Sequence, residues 1–141
     1  MKRYRSTSLA FALLAIGTAG TAGTAAFAEN SSDLSADELK QILPGATVVV
    51  TYANGNSARW KNESDGTLSA SWNNGPEVNS KHHHAAGTGT WKISDDGKFC
   101  AHIEWPTKTA DWCRPVVKSD DGSYTLRSLQ GSPSWNLEIS K

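Results

Sequence analysis

Three adjacent histidines, His82, His83 and His84, are the densest run of chemistry-bearing side chains in the sequence. Imidazoles bind zinc, copper or nickel well. On extended backbone His82 and His84 point to the same side and could share one ion, with His102 or Asp111 as further ligands. The run sits in a long Asn- and Gly-flanked stretch, Asn74 to Gly87, where three solvated imidazoles are the competing reading. A bare run fixes neither ligand number nor geometry, so metal binding stands as the alternative function. Arg114 is the second candidate. On a strand it shares a face with Trp112, and an arginine flanked by tryptophan can hold a carboxylate or phosphate through bidentate hydrogen bonds and stacking. The competing reading is an arginine laying its aliphatic stem on Trp112. Arg114, Trp112 and Trp91 are therefore the candidate ligand-binding residues. The six tryptophans could also stack on sugars, but their alternation fits core packing better. No G-x-S-x-G elbow, no H-E-x-x-H pair and no cysteine free for nucleophilic attack occurs, and no catalytic residue is assigned. The expectation is a non-enzymatic protein without a cofactor.

The N-terminal segment explains the cysteine usage. Lys2, Arg3 and Arg5 precede an apolar stretch from Leu9 to Ile16, and a small-residue tract ends in Ala26-Phe27-Ala28. That order is the pattern of a cleavable secretory signal over residues 1–28, and the apolar stretch is far below the roughly 20 residues a membrane span needs. Residues 29–141 then form one domain. They hold 11 of the 14 basic and all 14 acidic residues, a formal charge of −3. Such a domain, with no basic stripe, fits neither nucleic acid nor an anionic membrane as partner. A periplasmic or secreted location is oxidising, so Cys100 and Cys113 are expected to form a disulfide.

The elements that must position these residues are strands. Ser35 and Glu38 spell a capping box, with Leu34 and Leu39 as its hydrophobic staple, so one short helix opens the domain and Pro44-Gly45 ends it. From Thr47 the pattern has period two. Ser64-Asp65-Gly66, Asp95-Asp96-Gly97 and Asp120-Asp121-Gly122 read as hairpin loops whose glycine takes positive φ and forms a bulge. This geometry sets Trp60 opposite Ala70, Ile93 opposite Phe99, Trp91 opposite Ala101 and Val116 opposite Leu126. A further hairpin tip at Pro106-Thr107 sets Cys100 opposite Cys113 and Ala101 opposite Trp112. The sequence thus predicts an all-β fold. About eight antiparallel strands (46–52, 57–63, 67–73, 88–94, 98–105, 110–118, 123–129 and 134–140) follow the helix in a meander. A meander with one apolar face curls into a barrel or half-barrel, with a two-sheet sandwich as the other arrangement open to it.

The run Leu34 to Leu39, the stretches Gly89-Thr90-Trp91-Lys92-Ile93 and Asp96-Gly97-Lys98-Phe99-Cys100, and Cys113 leading to Gly122-Ser123-Tyr124 carry a likeness. The chain resembles a family of small exported proteobacterial proteins known as domain of unknown function 995. The resemblance implies export and a compact β fold and brings no activity, cofactor or catalytic residue; the histidine run is not part of its pattern. The expected function is that of an exported module engaging a small ligand or another protein. Its mature form is expected to begin at Glu29. Intact-mass measurement of the exported protein checks this, and a mass retaining residues 1–28 would refute it.

Overall fold

The computed structural model describes residues 31–74 and 85–141. The secretory signal expected over 1–28 and the histidines at 82–84 lie outside the described residues. One helix, α1 (Ala36–Ile42), is followed by strands β2 (Thr47–Thr51), β3 (Ser57–Asn62), β4 (Thr67–Asn73), β5 (Ala85–Ile93), β6 (Phe99–Glu104), β7 (Thr109–Arg114), β8 (Val116–Lys118), β9 (Tyr124–Leu126) and β10 (Trp135–Ser140). A two-residue strand, β1 (Ser32–Asp33), precedes the helix. All strands are antiparallel neighbours in one curled sheet of order β1-β8-β9-β10-β2-β3-β4-β5-β6-β7. The fold is the all-β half-barrel the alternation predicts.

Every cross-strand pair named above is observed, including Trp60 with Ala70, Trp91 with Ala101 and Val116 with Leu126. The hairpin glycines do what the loops require: Gly66, Gly97 and Gly122 take φ of +86°, +77° and +85°. In two of these loops an aspartate locks the turn. Asp65 accepts from the backbone and hydroxyl of Thr67, and Asp121 does the same for Ser123. Those bonds hold both carboxyls below the ordinary carboxylate range. The capping box is formed in full, and Leu34, Leu39 and Leu43 are buried.

Two details differ from the eight-strand reading. The polar residues ahead of the helix, outside the eight predicted strands, pair Ser32 with Lys118 and Asp33 with Val117. The strand expected over 110–118 is split at Pro115. Its first half pairs only with β6, and its second half pairs with β9 on the far side of the sheet. Proline has no N–H for a ladder, so the two ends of the sheet meet through covalent chain instead of hydrogen-bonded strands.

The core fills the concave face. Trp60, Phe99, Val48, Val50, Ile103, Val116 and Leu126 are all sequestered from solvent. One end of the curl is plugged by α1. There Asn62, fully buried, accepts from Trp60 Nε1 at 2.9 Å and donates to the Leu43 carbonyl at 3.2 Å, capping the helix end from inside. β5 and β6 approach closely at Gly89, where a Cβ would stand 1.8 Å from the His102 carbonyl oxygen. No other residue fits that contact without moving backbone.

Cys100 and Cys113 are bonded at opposed positions, their Cα atoms 4.0 Å apart. The Trp105 N–H donates to the Lys108 carbonyl at the hairpin tip, so alternation makes the cysteines a non-hydrogen-bonded pair, the closer of the two kinds. The bond lies on the convex face, away from the core. In the chain-entropy model it contributes about 3 kcal/mol. Reduction is therefore expected to lower the melting temperature by on the order of 10 °C while leaving a folded domain. Calorimetry with and without reductant measures it; an unchanged midpoint after complete reduction would show the bond to be structurally idle.

Candidate functional site

The end of the curl opposite α1 is open. There the first residue after β2, the end of β4, the second half of β7 and the start of β10 bring Tyr52, Trp72, Trp112 and Trp135 around a cavity of about 500 Å³. Tyr52 packs between two indoles, 5.1 Å from Trp72 and 4.8 Å edge-on from Trp135, and Trp112 stands edge-on to Trp135 at 5.8 Å. Offset and edge-on geometries of this kind hold aromatic walls in place. Trp72 Nε1 is anchored on Asn74 Oδ1. The buried Trp112 Nε1, in contrast, has no hydrogen-bond partner among the described residues.

Arg114 forms one wall of the cavity and closes the seam beneath it. Only 5% exposed, it donates through Nη1 to the carbonyls of Arg127 (3.2 Å) and Pro133 (2.8 Å) and through Nη2 to Ser132 Oγ (2.8 Å). Its guanidinium lies 3.5 Å over the Trp135 ring. Among the described residues no carboxylate forms an ion pair with it. Burial lowers its pKa, opposed by the neighbouring Tyr52. Burial also pushes the Tyr52 phenol up to about 12, so it is neutral. At the rim Lys108 Nζ sits 3.9 Å over Trp72. Among the described residues the cavity thus has four aromatic walls, two cations stacked on two of them, and a single acidic residue, Asp111, at its lip.

The sequence-derived candidates separate here. Arg114 and Trp112 meet in this cavity, but Trp91 does not join them. Trp91 donates from Nε1 to the Glu63 carbonyl at 2.8 Å and packs edge-on against Phe99, beside a separate space of about 270 Å³. Its role is to fasten β5 to the β3–β4 loop. His102 and Asp111, considered above as metal ligands, bond each other at 3.0 Å on the convex face. That bond, aided by the charges of Asp111 and Glu104, raises the His102 pKa against a smaller opposing effect of desolvation. Among the described residues no three His, Cys, Asp or Glu side chains are grouped to hold a metal. Tyr52, Trp72, Trp135 and Lys108 were not singled out in the sequence, since nothing local marks strand ends that converge only when β10 pairs with β2.

Fold and site together define a small curled-sheet protein with one aromatic-walled, cationic cavity at its open end. Residues 12–132 match the family model described as protein of unknown function, DUF995, and the chain belongs to that family. No curated protein and no solved structure matches it.

Lysine at position 114 would keep the charge but lose the fork that reaches three acceptors. Arg114→Lys is expected to destabilise the domain by roughly 1–3 kcal/mol, leaving buried carbonyls unpaired. Denaturant unfolding reads this directly, and an unchanged midpoint would show that the seam is held by other contacts.

Proposed function

We propose that this protein is an exported, non-enzymatic binding module whose ligand occupies the cavity bounded by Tyr52, Trp72, Trp112, Arg114 and Trp135. The observation that carries the reading is the buried, carboxylate-free Arg114 stacked on Trp135 in the wall of that cavity. Small-molecule sites are concavities of about 300–1,000 Å³, and this one has that size, with aromatic walls between polar and charged groups. Export is supported by the leader pattern and by the Cys100–Cys113 bond, which an oxidising compartment sustains. Among the described residues no helix is long and apolar enough to cross a membrane. The leader pattern and the disulfide support a periplasmic or secreted location.

Anilinonaphthalene sulfonate, flat, apolar and anionic, is a suitable probe. It is expected to bind one site per chain, saturably, with no change in the cooperative melt; the melt guards against dye uptake by a loosened state. Ala110 lines the cavity, and Ala110→Phe should fill it and weaken the dye by about tenfold or more, equivalent to 1.4 kcal/mol. Absence of saturable binding, or binding indifferent to the filled cavity, would overturn the reading.

A further inference from the structure

The lining of the cavity has an unusual feature along β7. Successive side chains on a strand point to opposite faces, so a cavity on one face is lined by every second residue. Here Thr109, Ala110, Asp111 and Trp112 all line it, which means that the cavity lies against the edge of the strand as well as its face. Among the described residues that edge is open: β7 ends the sheet and pairs only with β6. The hairpin bond from the Trp105 N–H to the Lys108 carbonyl sets which groups are spent. By alternation Ala110, Trp112 and Arg114 direct their N–H and C=O toward β6, whereas Thr109, Asp111 and Cys113 direct theirs outward. Thr109 and Asp111 are exposed, and among the described residues no backbone or side-chain group bonds their main-chain N–H or C=O across this edge.

We infer that the ligand is a short extended peptide with an acidic end, adding a strand to the Thr109–Asp111 edge and placing a large apolar side chain among Tyr52, Trp72 and Trp112. The inference rests on the proposed function of the cavity and names the ligand for it. Main-chain pairing to an unpaired edge supplies affinity and pockets beside it supply selectivity, the usual division of labour in strand addition. Lys108 and Arg114 stand at the two ends of β7, and against them, among the described residues, the cavity sets only Asp111, which is shared with His102. A carboxylate is therefore favoured over a basic group at either end of the bound strand.

The probe is the peptide acetyl-Val-Trp-Val-Asp with a free C-terminus, titrated calorimetrically against the disulfide-bonded protein. Neighbouring amides of an extended peptide face opposite edges, so two N-methylated versions discriminate, one methylated at both valines and one at Trp and Asp. One is expected to bind about tenfold or more weakly and the other like the parent. Equal binding by all three, or equal loss by both methylated forms, overturns strand addition. Replacing Asp in the peptide by an amidated Lys is expected to weaken binding several-fold; no change removes the acidic requirement. Thr109→Pro deletes one outward N–H at a position where an edge strand tolerates proline, and should weaken the parent peptide about tenfold or more while sparing the melt; an unchanged affinity overturns pairing at this edge. If the dye binds and the peptide does not, strand addition fails and the cavity reading survives. If neither binds, the cavity reading itself fails.

Discussion

The fold depends on how one arginine deals with a missing ladder. A curled antiparallel sheet must either close or leave an edge, and this chain tries to close through the continuous segment Thr109–Lys118. Pro115 prevents that segment from pairing on both sides along its length. Below the break the Arg127 N–H still reaches the Pro115 carbonyl, at 3.0 Å. Above it Arg114 substitutes side-chain donors for backbone ones, gathering the carbonyls of Arg127 and Pro133 and the hydroxyl of Ser132. A guanidinium suits this work because its donors lie in a fixed planar fork and it stays charged when buried. Stacking on Trp135 replaces part of the hydration it gives up.

The two ends of the curl are treated differently, and the difference places the site. At the closed end the helix contributes Leu39 and Leu43 to the core, and Asn62 satisfies the Leu43 carbonyl that burial would otherwise strand. A buried asparagine is tolerable only when its donors and acceptor are used, and here Trp60 takes the acceptor. At the open end no such plug occurs among the described residues. The aromatic side chains there are half-buried, with Tyr52, Trp72, Trp112 and Trp135 leaning on each other around a space they do not fill. Polar satisfaction follows the same division: complete around Asn62, but with an unspent indole donor at Trp112.

The turns and the disulfide were legible in the sequence because each is local. An Asp-Gly loop has few geometries, a geometry fixes a register, and the registers carried Cys100 to Cys113 and Trp91 to Ala101. Arg114 and Trp112 were legible for the same reason, lying two apart on one strand. What escaped the sequence was non-local. Pro115 was visible, yet whether a proline ends a strand or only splits it between two partners depends on which edge each half meets. Trp135 and Tyr52 meet only because β10 returns to β2. Trp91 looked equivalent to Trp112 by register, but an inward-facing strand position becomes core or cavity according to distance from the closed end. Trp91 lies half-buried beside the turn of Gly66, whose carbonyl accepts from the Trp91 N–H at 2.9 Å, away from the open end.

Open edges are hazards that natural sheets blunt, and the two ends of this sheet are blunted unequally. The β1 end is only two residues long, and its Asp33 is held by an ion pair to Arg127. The β7 end is six residues long and neighbours the aromatic-walled cavity of about 500 Å³. Its protection comes from placement: Trp112 and Arg114 turn inward, Asp111 is held by His102, and Lys108 is drawn over Trp72. Charges at both ends of a short edge discourage pairing with a second copy, whose β7 would bring like charges into register or its own indoles into water. They do not discourage a ligand of complementary charge. The proline that denies the sheet its last ladder thus leaves an edge selective by charge, beside a cavity walled by aromatic rings, and the arginine that repairs the break below it supplies one of the charges.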